Sequence, residues 1–229
     1  MVTDLLLPKK GIETLELPSY VKLDMAFGLG TGTTLFDKSR YRSHGTISGA
    51  NWATGAHGYA LDFIGATPSY VEIPATHTQL NFTSEDFSII IRARFDSVAA
   101  EQYLFSRGEV NTDGWGIDYF AWAGVALRTF QSGASQHSYS PGGELLAATW
   151  YTLGFSRDGA AVKVYINGID KTEFGGTHIN PVTCSRSVKI GIYDNKSSAP
   201  FDGKIEFLRI IGGVALSASE HLAFHNALA

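Results

Sequence analysis

The feature that most constrains this chain is an alternation of period two, punctuated by turn dipeptides. Val162, Val164 and Ile166 alternate with Lys163 and Tyr165, and the run lies between Asp158-Gly159 and Asn167-Gly168. Successive side chains of a strand point to opposite faces, so this pattern fits a strand with one buried face. Asn-Gly is the strongest short hairpin signal, because a type I′ turn needs positive φ at both central residues. Gly159 accepts positive φ without a Cβ clash. The stretch therefore predicts strands over 151–156 and 162–166 and a return strand over 169–174, a three-stranded antiparallel meander. Phe87, Ile89, Ile91, Ala93 and Phe95 alternate with Ser88, Ile90, Arg92 and Arg94 in the same way. Ile90 on the second face predicts that this strand is partly covered there as well.

Further strands are predicted over 59–63, 70–73, 103–107, 114–119, 125–130, 188–193 and 204–211, with Gly, Asn, Asp or Pro between them. Many short strands at such spacing point to a sandwich or barrel. One helix is predicted at the end of the chain, where Ser217 and Glu220 have capping-box spacing ahead of Leu222, Ala223 and Phe224. Pro8, Lys9, Lys10, Gly11 and Pro18 mark residues 1–20 as an N-terminal arm, which leaves 21–229 as a single domain.

Composition excludes several classes. With 44% hydrophobic and 17% charged residues the chain is not a disordered one. Cys184 is the only cysteine, which rules out an intrachain disulfide and a zinc site built on several thiolates. A net charge of −4 provides no basic excess for a nucleic-acid partner. No apolar stretch approaches the ~18 residues of a membrane helix, so no membrane insertion is expected. The apolar run from Leu5 to Leu7 is too short for a signal-peptide core.

Blocks spread along residues 21–228 resemble a known family. They include LDMAFGLGTGTTLFDKSRYRSHGTISG (23–49), GYALDFIGATPSYVEIPA (58–75), DFSIIIRARF (86–95), WYTLGFSRDGAAVKVYINGI (150–169) and FDGKIEFLRIIGGVALSASE (201–220). In this order they resemble the laminin-G-like branch of the concanavalin A-like lectin/glucanase superfamily. The resemblance implies an all-β jelly-roll sandwich of two curved antiparallel sheets. It leaves function open, since this fold hosts lectins, glucanases, adhesion modules and virion proteins. The closing block is similar to domains of bacteriophage structural proteins. Family members often hold a structural calcium, and the matching positions are Asp37, Asp202 and Glu206, the last where the family prefers Asp. The alternative for Asp37 and Asp202 is a turn-forming role.

The glucanases of this superfamily carry two or three carboxylates at alternate positions of one strand, as retaining hydrolysis requires. No such triplet occurs here, and Asp202 and Glu206 have the wrong spacing, so no catalytic residues are assigned. There is no G-x-S-x-G, P-loop or H-E-x-x-H motif. His221 and His225 share a face of the terminal helix, but a metal would need a third ligand, and a solvent-facing helix explains them. Glycan binding would use aromatic platforms. Trp115, Tyr119 and Trp122 are the candidates, with core packing as the alternative for the first two; Trp52 and Trp150 are expected in the core. Residues 131–143 read as a polar loop that could rim a site.

These readings predict a non-catalytic structural or adhesion module, not an enzyme. The expected setting is a virion or another extracellular surface, with no required cofactor and calcium as an option. Surface glycans and neighbouring virion or surface proteins are the expected partners, with display in multiple copies. The alternative is a carbohydrate-binding module of a secreted glycan-active system.

Overall fold

The computed structural model describes residues 17–229. Residues 1–16 of the expected arm lie outside the described residues. Of its remainder, Leu17 and Tyr20 pack against an apolar patch that the C-terminal helix covers. In chain order the strands are β1 (Val21–Ala26), β2 (Thr34–Asp37), β3 (Gly45–Ser48), β4 (Asn51–Thr54), β5 (Tyr59–Phe63), β6 (Tyr70–Ile73), β7 (Phe87–Phe95), β8 (Gln102–Glu109) and β9 (Asp113–Phe120). They continue with β10 (Gly124–Gln131), β11 (Ala134–Tyr139), β12 (Trp150–Asp158), β13 (Ala161–Ile166), β14 (Ile169–Asp170), β15 (Phe174–Gly175), β16 (Val188–Ile190) and β17 (Gly203–Gly212). A 3-10 turn spans Thr78–Leu80, and the helix α1 spans Ala218–Leu228.

All pairings are antiparallel, and they form two layers. One layer runs β14-β13-β12-β7-β17, with β1 and β5 side by side along the far edge of β17 and β4 beyond β5. The other runs β15-β11-β10-β9-β8-β16-β6-β3-β2. The short strand β2 pairs with β1 in the first layer and with β3 in the second, so the ladder folds over on itself there. This is the jelly-roll sandwich that the family resemblance implies, and one of the two architectures, sandwich or barrel, to which the strand pattern points. Between the layers lies one apolar core, in which Phe105 stacks on Trp115 with centroids 4.7 Å apart and Phe87 lies 5.2 Å from the same ring. The Trp115 indole donates to the Leu80 carbonyl at 3.0 Å, so the buried N–H is satisfied.

The predicted turns are present. Asn167 and Gly168 have φ of 52° and 77° and separate Ile166 from its partner Ile169. The return strand is shorter than expected. Asp170 accepts from both the backbone N–H and the hydroxyl of Thr172, an Asx-type turn that ends β14 after two residues. The chain then crosses to the other layer as β15. The polar stretch 131–143 is largely a strand and not a loop: Ser132-Gly133 makes a tight hairpin, and β11 follows with Gln131 paired to Ala134. The strand predicted over 188–193 ends at Ile190.

Two bulges shift the side-chain phase. In β17 the register slips between Ile205 and Phe207, with Glu206 as the extra residue. Ile205, Leu208 and Ile210 thereby face the inter-sheet core, while Phe207 and Ile211 join Ile90 on the outer face. In β8 the slip at Leu104 leaves Leu104 and Phe105 in the core and turns Tyr103 outward, opposite Asp118.

The helix α1 covers the outer face of the first layer, hereafter the covered sheet. Ser217 caps it, and the reciprocal Glu220 bond to the Ser217 N–H completes the capping box. Phe224 is fully buried with Ile90, Phe207 and Ile211. His221 is buried too: its Nε2 lies 2.7 Å from the Ser156 hydroxyl, its ring stacks on Tyr165, and burial pushes its pKa down to about 3. His225 lies 3.2 Å from the Thr152 hydroxyl. The expected solvent-facing pair of histidines is thus a sheet-facing pair, because α1 docks by that side. Trp150 also departs from expectation. Tyr151 points into the core, so its neighbour Trp150 stands on the outer face, where Arg92 lies over its ring.

Candidate functional site

Among the described residues, the second layer carries no such cover on its outer face. Outward positions on this open sheet are Tyr103 of β8, Asp118 and Phe120 of β9, Arg128 of β10, and His137 and Tyr139 of β11, as the pairs Tyr103–Asp118 and Arg128–His137 fix. They surround a shallow depression of about 410 Å³, lined by Glu101, Phe120, Trp122, Arg128, His137 and Tyr139 among others. Trp122 sits in the turn that joins β9 to β10 and is 68% exposed. Its ring meets Tyr139 edge-on at 5.4 Å and Phe120 at 5.6 Å, and Tyr139 stacks on the exposed Phe174 at 5.1 Å. A half-exposed aromatic surface of this extent costs apolar hydration in the free protein and offers flat apolar area to a ligand.

The charged groups are ordered by depth. Asp118 is fully buried, and burial pushes its pKa up to about 7 despite the opposing effect of Arg128. Arg128 Nη1 donates to Asp118 Oδ2 at 3.1 Å and to the Tyr103 hydroxyl at 3.2 Å. Burial works against the Arg128 charge, but Asp118, Tyr103 and Glu101 outweigh it, so the guanidinium stays charged. Glu101 stands half-exposed at the rim, 4.0 Å from Arg128 Nη1. His137 is held below the usual histidine range, first by burial and then by Arg128, and is neutral at pH 7. The arrangement offers hydrogen-bond donors, acceptors and an apolar platform. It offers only one carboxylate at the surface, Glu101, since Asp118 lies beneath Arg128.

The aromatic candidates split. Trp115 and Tyr119 lie in the inter-sheet core, where the Tyr119 hydroxyl donates to the Val98 carbonyl at 3.0 Å. Their alternation with Asp118 and Phe120 turns them inward, so they cannot present a surface platform. Trp122 alone of the three is at the depression. Trp52, expected in the core, packs against its margin and donates to the Gly32 carbonyl.

The candidate calcium residues are not brought together, and among the described residues no three His, Cys, Asp or Glu side chains cluster as a metal site would require. The Asp37 carboxylate accepts four hydrogen bonds, from the N–H groups of Asp24, Ser39 and Ser43 and from the Ser39 hydroxyl. It organises the turn after β2, and its lone pairs are engaged. Asp202 accepts from Gly65 N–H at 3.2 Å. Glu206, the bulge residue, accepts from Arg92 Nε at 2.7 Å and Ala56 N–H at 2.6 Å on the covered sheet.

Glu101, Phe120, Arg128, His137 and Tyr139 were not singled out from the sequence. One signal for them exists: His137 and Tyr139 share parity within 134–139, as Arg128 does with Ala126 and Phe130 within 124–131. The polar composition of 131–143 hid the strand that carries it.

Residues 65–220 match a laminin-G family model described as concanavalin A-like lectin/glucanases superfamily. A comparison with curated proteins finds no match. Among solved structures, the chain is similar to domain 4 of AbnA, an extracellular GH43 arabinanase from Geobacillus stearothermophilus, in complex with arabinotriose. The TM-score is 0.65 at 23% identity, over 90% of this chain and 98% of that one. It is similar to the binding domain of Paraclostridial Mosquitocidal Protein 1, with a TM-score of 0.73 at 13% identity, over 91% of this chain and 52% of that one. It also resembles the Trypanosoma rangeli sialidase in complex with the inhibitor DANA, with a TM-score of 0.63 at 13% identity, over 88% of this chain and 32% of that one. At these identities the likeness is one of fold.

Proposed function

The chain belongs to the concanavalin A-like lectin/glucanase superfamily, and on that footing we propose that it is a non-catalytic glycan-binding module whose site is the depression on the open sheet. The observation that carries the reading is Trp122, exposed beside Tyr139 and Phe120 and next to the polar groups of Arg128, His137 and Glu101. Sugar C–H faces stack on such rings while the hydroxyls take up the polar groups. The similarity to an arabinanase domain solved with arabinotriose, nearly the whole of which the chain matches, supports the reading. A single surface carboxylate supports the absence of hydrolysis, because both retaining and inverting mechanisms use two.

A shallow site exchanges good water contacts for sugar contacts, so a single domain binds at roughly micromolar to millimolar Kd. Display in several copies, on a virion or another extracellular surface, would raise avidity without new contacts. The test is a glycan array followed by calorimetry. Trp122→Ala is expected to weaken binding by roughly tenfold or more, in line with the loss of one aromatic anchor. Artificial multimers should bind the array more strongly than the monomer, and a reducing-sugar assay should stay at the buffer blank. Unchanged binding by Trp122→Ala removes the depression as the site, and turnover removes the non-catalytic assignment.

A further inference from the structure

We infer that the depression selects an uncharged glycan, with Arg128 and Glu101 bracketing adjacent sugar hydroxyls and the buried Asp118 cancelling the cation that an acidic sugar would need; this rests on the glycan-binding reading above. Arg128 and Glu101 are the only charged groups among the residues lining the depression, one of each sign. Their side chains stand 4.0 Å apart at Nη1 and Oε1, too far for a hydrogen bond to each other. Both hydrogens of Nη1 are committed, to Asp118 and to Tyr103. Nη2 makes no hydrogen bond within the described residues and is not among the buried polar atoms that lack a partner, so it is accessible to solvent on a residue that lines the depression. It is a donor beside an acceptor, Glu101, and a vicinal diol presents one group of each kind to such a pair.

The Arg128 guanidinium lies against the Phe120 ring, 5.6 Å from its centroid, and Phe120 packs on Trp122. A sugar ring stacked on Trp122 is therefore next to Arg128. A carboxylate on that ring would meet a cation already paired with Asp118 and would face Glu101 across 4.0 Å from the same guanidinium. His137 is neutral at pH 7 and adds no positive charge. With Asp118 ionised the three charged groups sum to −1, which disfavours an anionic ligand and leaves an uncharged polyol unaffected. Burial raises the Asp118 pKa to about 7, so this cancellation is fullest above that pH.

The experiment uses an array of uncharged oligosaccharides (arabino-, xylo- and lacto-series) beside acidic ones (galacturono- and sialyllacto-series) at pH 8. Calorimetry then follows on the best binder of each kind with the wild type, Glu101→Gln and Trp122→Ala. Glu101 is a half-exposed rim residue, so its substitution leaves the fold intact. The uncharged members should bind at least tenfold more tightly than the acidic ones. Glu101→Gln should weaken the uncharged ligand several-fold and narrow its margin over the acidic ligand. A preference for acidic members that Trp122→Ala abolishes overturns the selectivity while leaving the glycan site in place. An unchanged margin in Glu101→Gln overturns the bracketing role. No binding by any member overturns the glycan reading itself, and the selectivity with it.

Discussion

The outer faces of the two sheets make the instructive comparison. Each belongs to a layer whose inner face fills the same core, and each carries aromatic and aliphatic side chains outward. On the covered sheet, Ile90, Phe207 and Ile211 meet Phe224 of α1, and the polar groups between them close on one another: Ser88, Ser156 and His221 form a chain that also engages the Val214 and Leu216 carbonyls. On the open sheet, Phe120, Trp122, Tyr139 and Phe174 have no such cover among the described residues, and polar capacity remains at Glu101 and His137. Similar apolar content therefore serves stability on one face and is available for recognition on the other. The difference is whether an element of the chain returns to bury it.

Deleting one aromatic from each face should separate these roles. Phe224→Ala removes a fully buried ring and is expected to cost about 3–5 kcal/mol, the usual range for such a cavity. Trp122→Ala, at 68% exposure, should change stability by no more than about 0.5 kcal/mol while weakening glycan binding. Denaturant unfolding of the two variants checks this, and equal losses would erase the distinction between the faces.

A smaller loss is expected from Gly168→Val. The position has φ of 77°, and a Cβ there would meet the backbone of Leu222 in α1. A β-branched residue resists that region, and the clash pushes at the docked helix, so a cost of about 2–3 kcal/mol follows. An unchanged melting temperature would mean that α1 does not sit on this turn.

Acid should act with opposite sign on two buried groups, His221 under the covered sheet's helix and Asp118 on the open sheet. His221 is buried neutral, with a pKa of about 3 against an ordinary value of 6.5. The unfolded chain gains this proton first as pH falls, so the covered face loses stability from about pH 6.5 downward, by about 2 kcal/mol between pH 7.5 and pH 5. His178, pushed down to about 4 by burial, adds a loss of the same sign. Asp118 has a folded pKa of about 7, above the unfolded value, so the folded state takes up this proton first and gains stability as pH falls from 7 toward 4. His221→Gln should therefore flatten the acid side of the stability profile, and Asp118→Asn should steepen it. Parallel profiles for the wild type and both variants would count against this assignment. The smallest expected effect is that of a chelator. Asp37, Asp202 and Glu206 are each held by N–H donors in separate places, so EDTA should leave the melting temperature unchanged.

Much of the fold was legible because it is encoded locally. The Asn167-Gly168 turn and the Ser217–Glu220 capping box need only neighbouring residues to act, and both stand as read. The site was legible only in part. Trp115, Tyr119 and Trp122 look alike as aromatics of one glycine-rich segment, yet two are core and one is surface. The return strand after Gly168 breaks because Asp170 finds Thr172, a competition between side chain and ladder that periodicity does not register.

Taken by itself, the chain's pattern of alternation, turn dipeptides and one capped helix determined an all-β sandwich or barrel ending in a helix, since each of these signals is a short-range preference of backbone geometry. It also carried the family resemblance, because the blocks keep their order. What only the tertiary structure decided is which outer face stays open. A period of two marks two faces of a strand but not which one meets the core. The bulges at Leu104 and Glu206 reset that phase in mid-strand and turn Tyr103 and Phe207 outward. The cover is a long-range choice as well: α1 at the end of the chain lies over β7 and β12 and buries Ile90 and Ser156, and it leaves the Trp122 face to solvent. Helix docking depends on surfaces that exist only after the sheets have paired, so no local signal in the sequence specifies it.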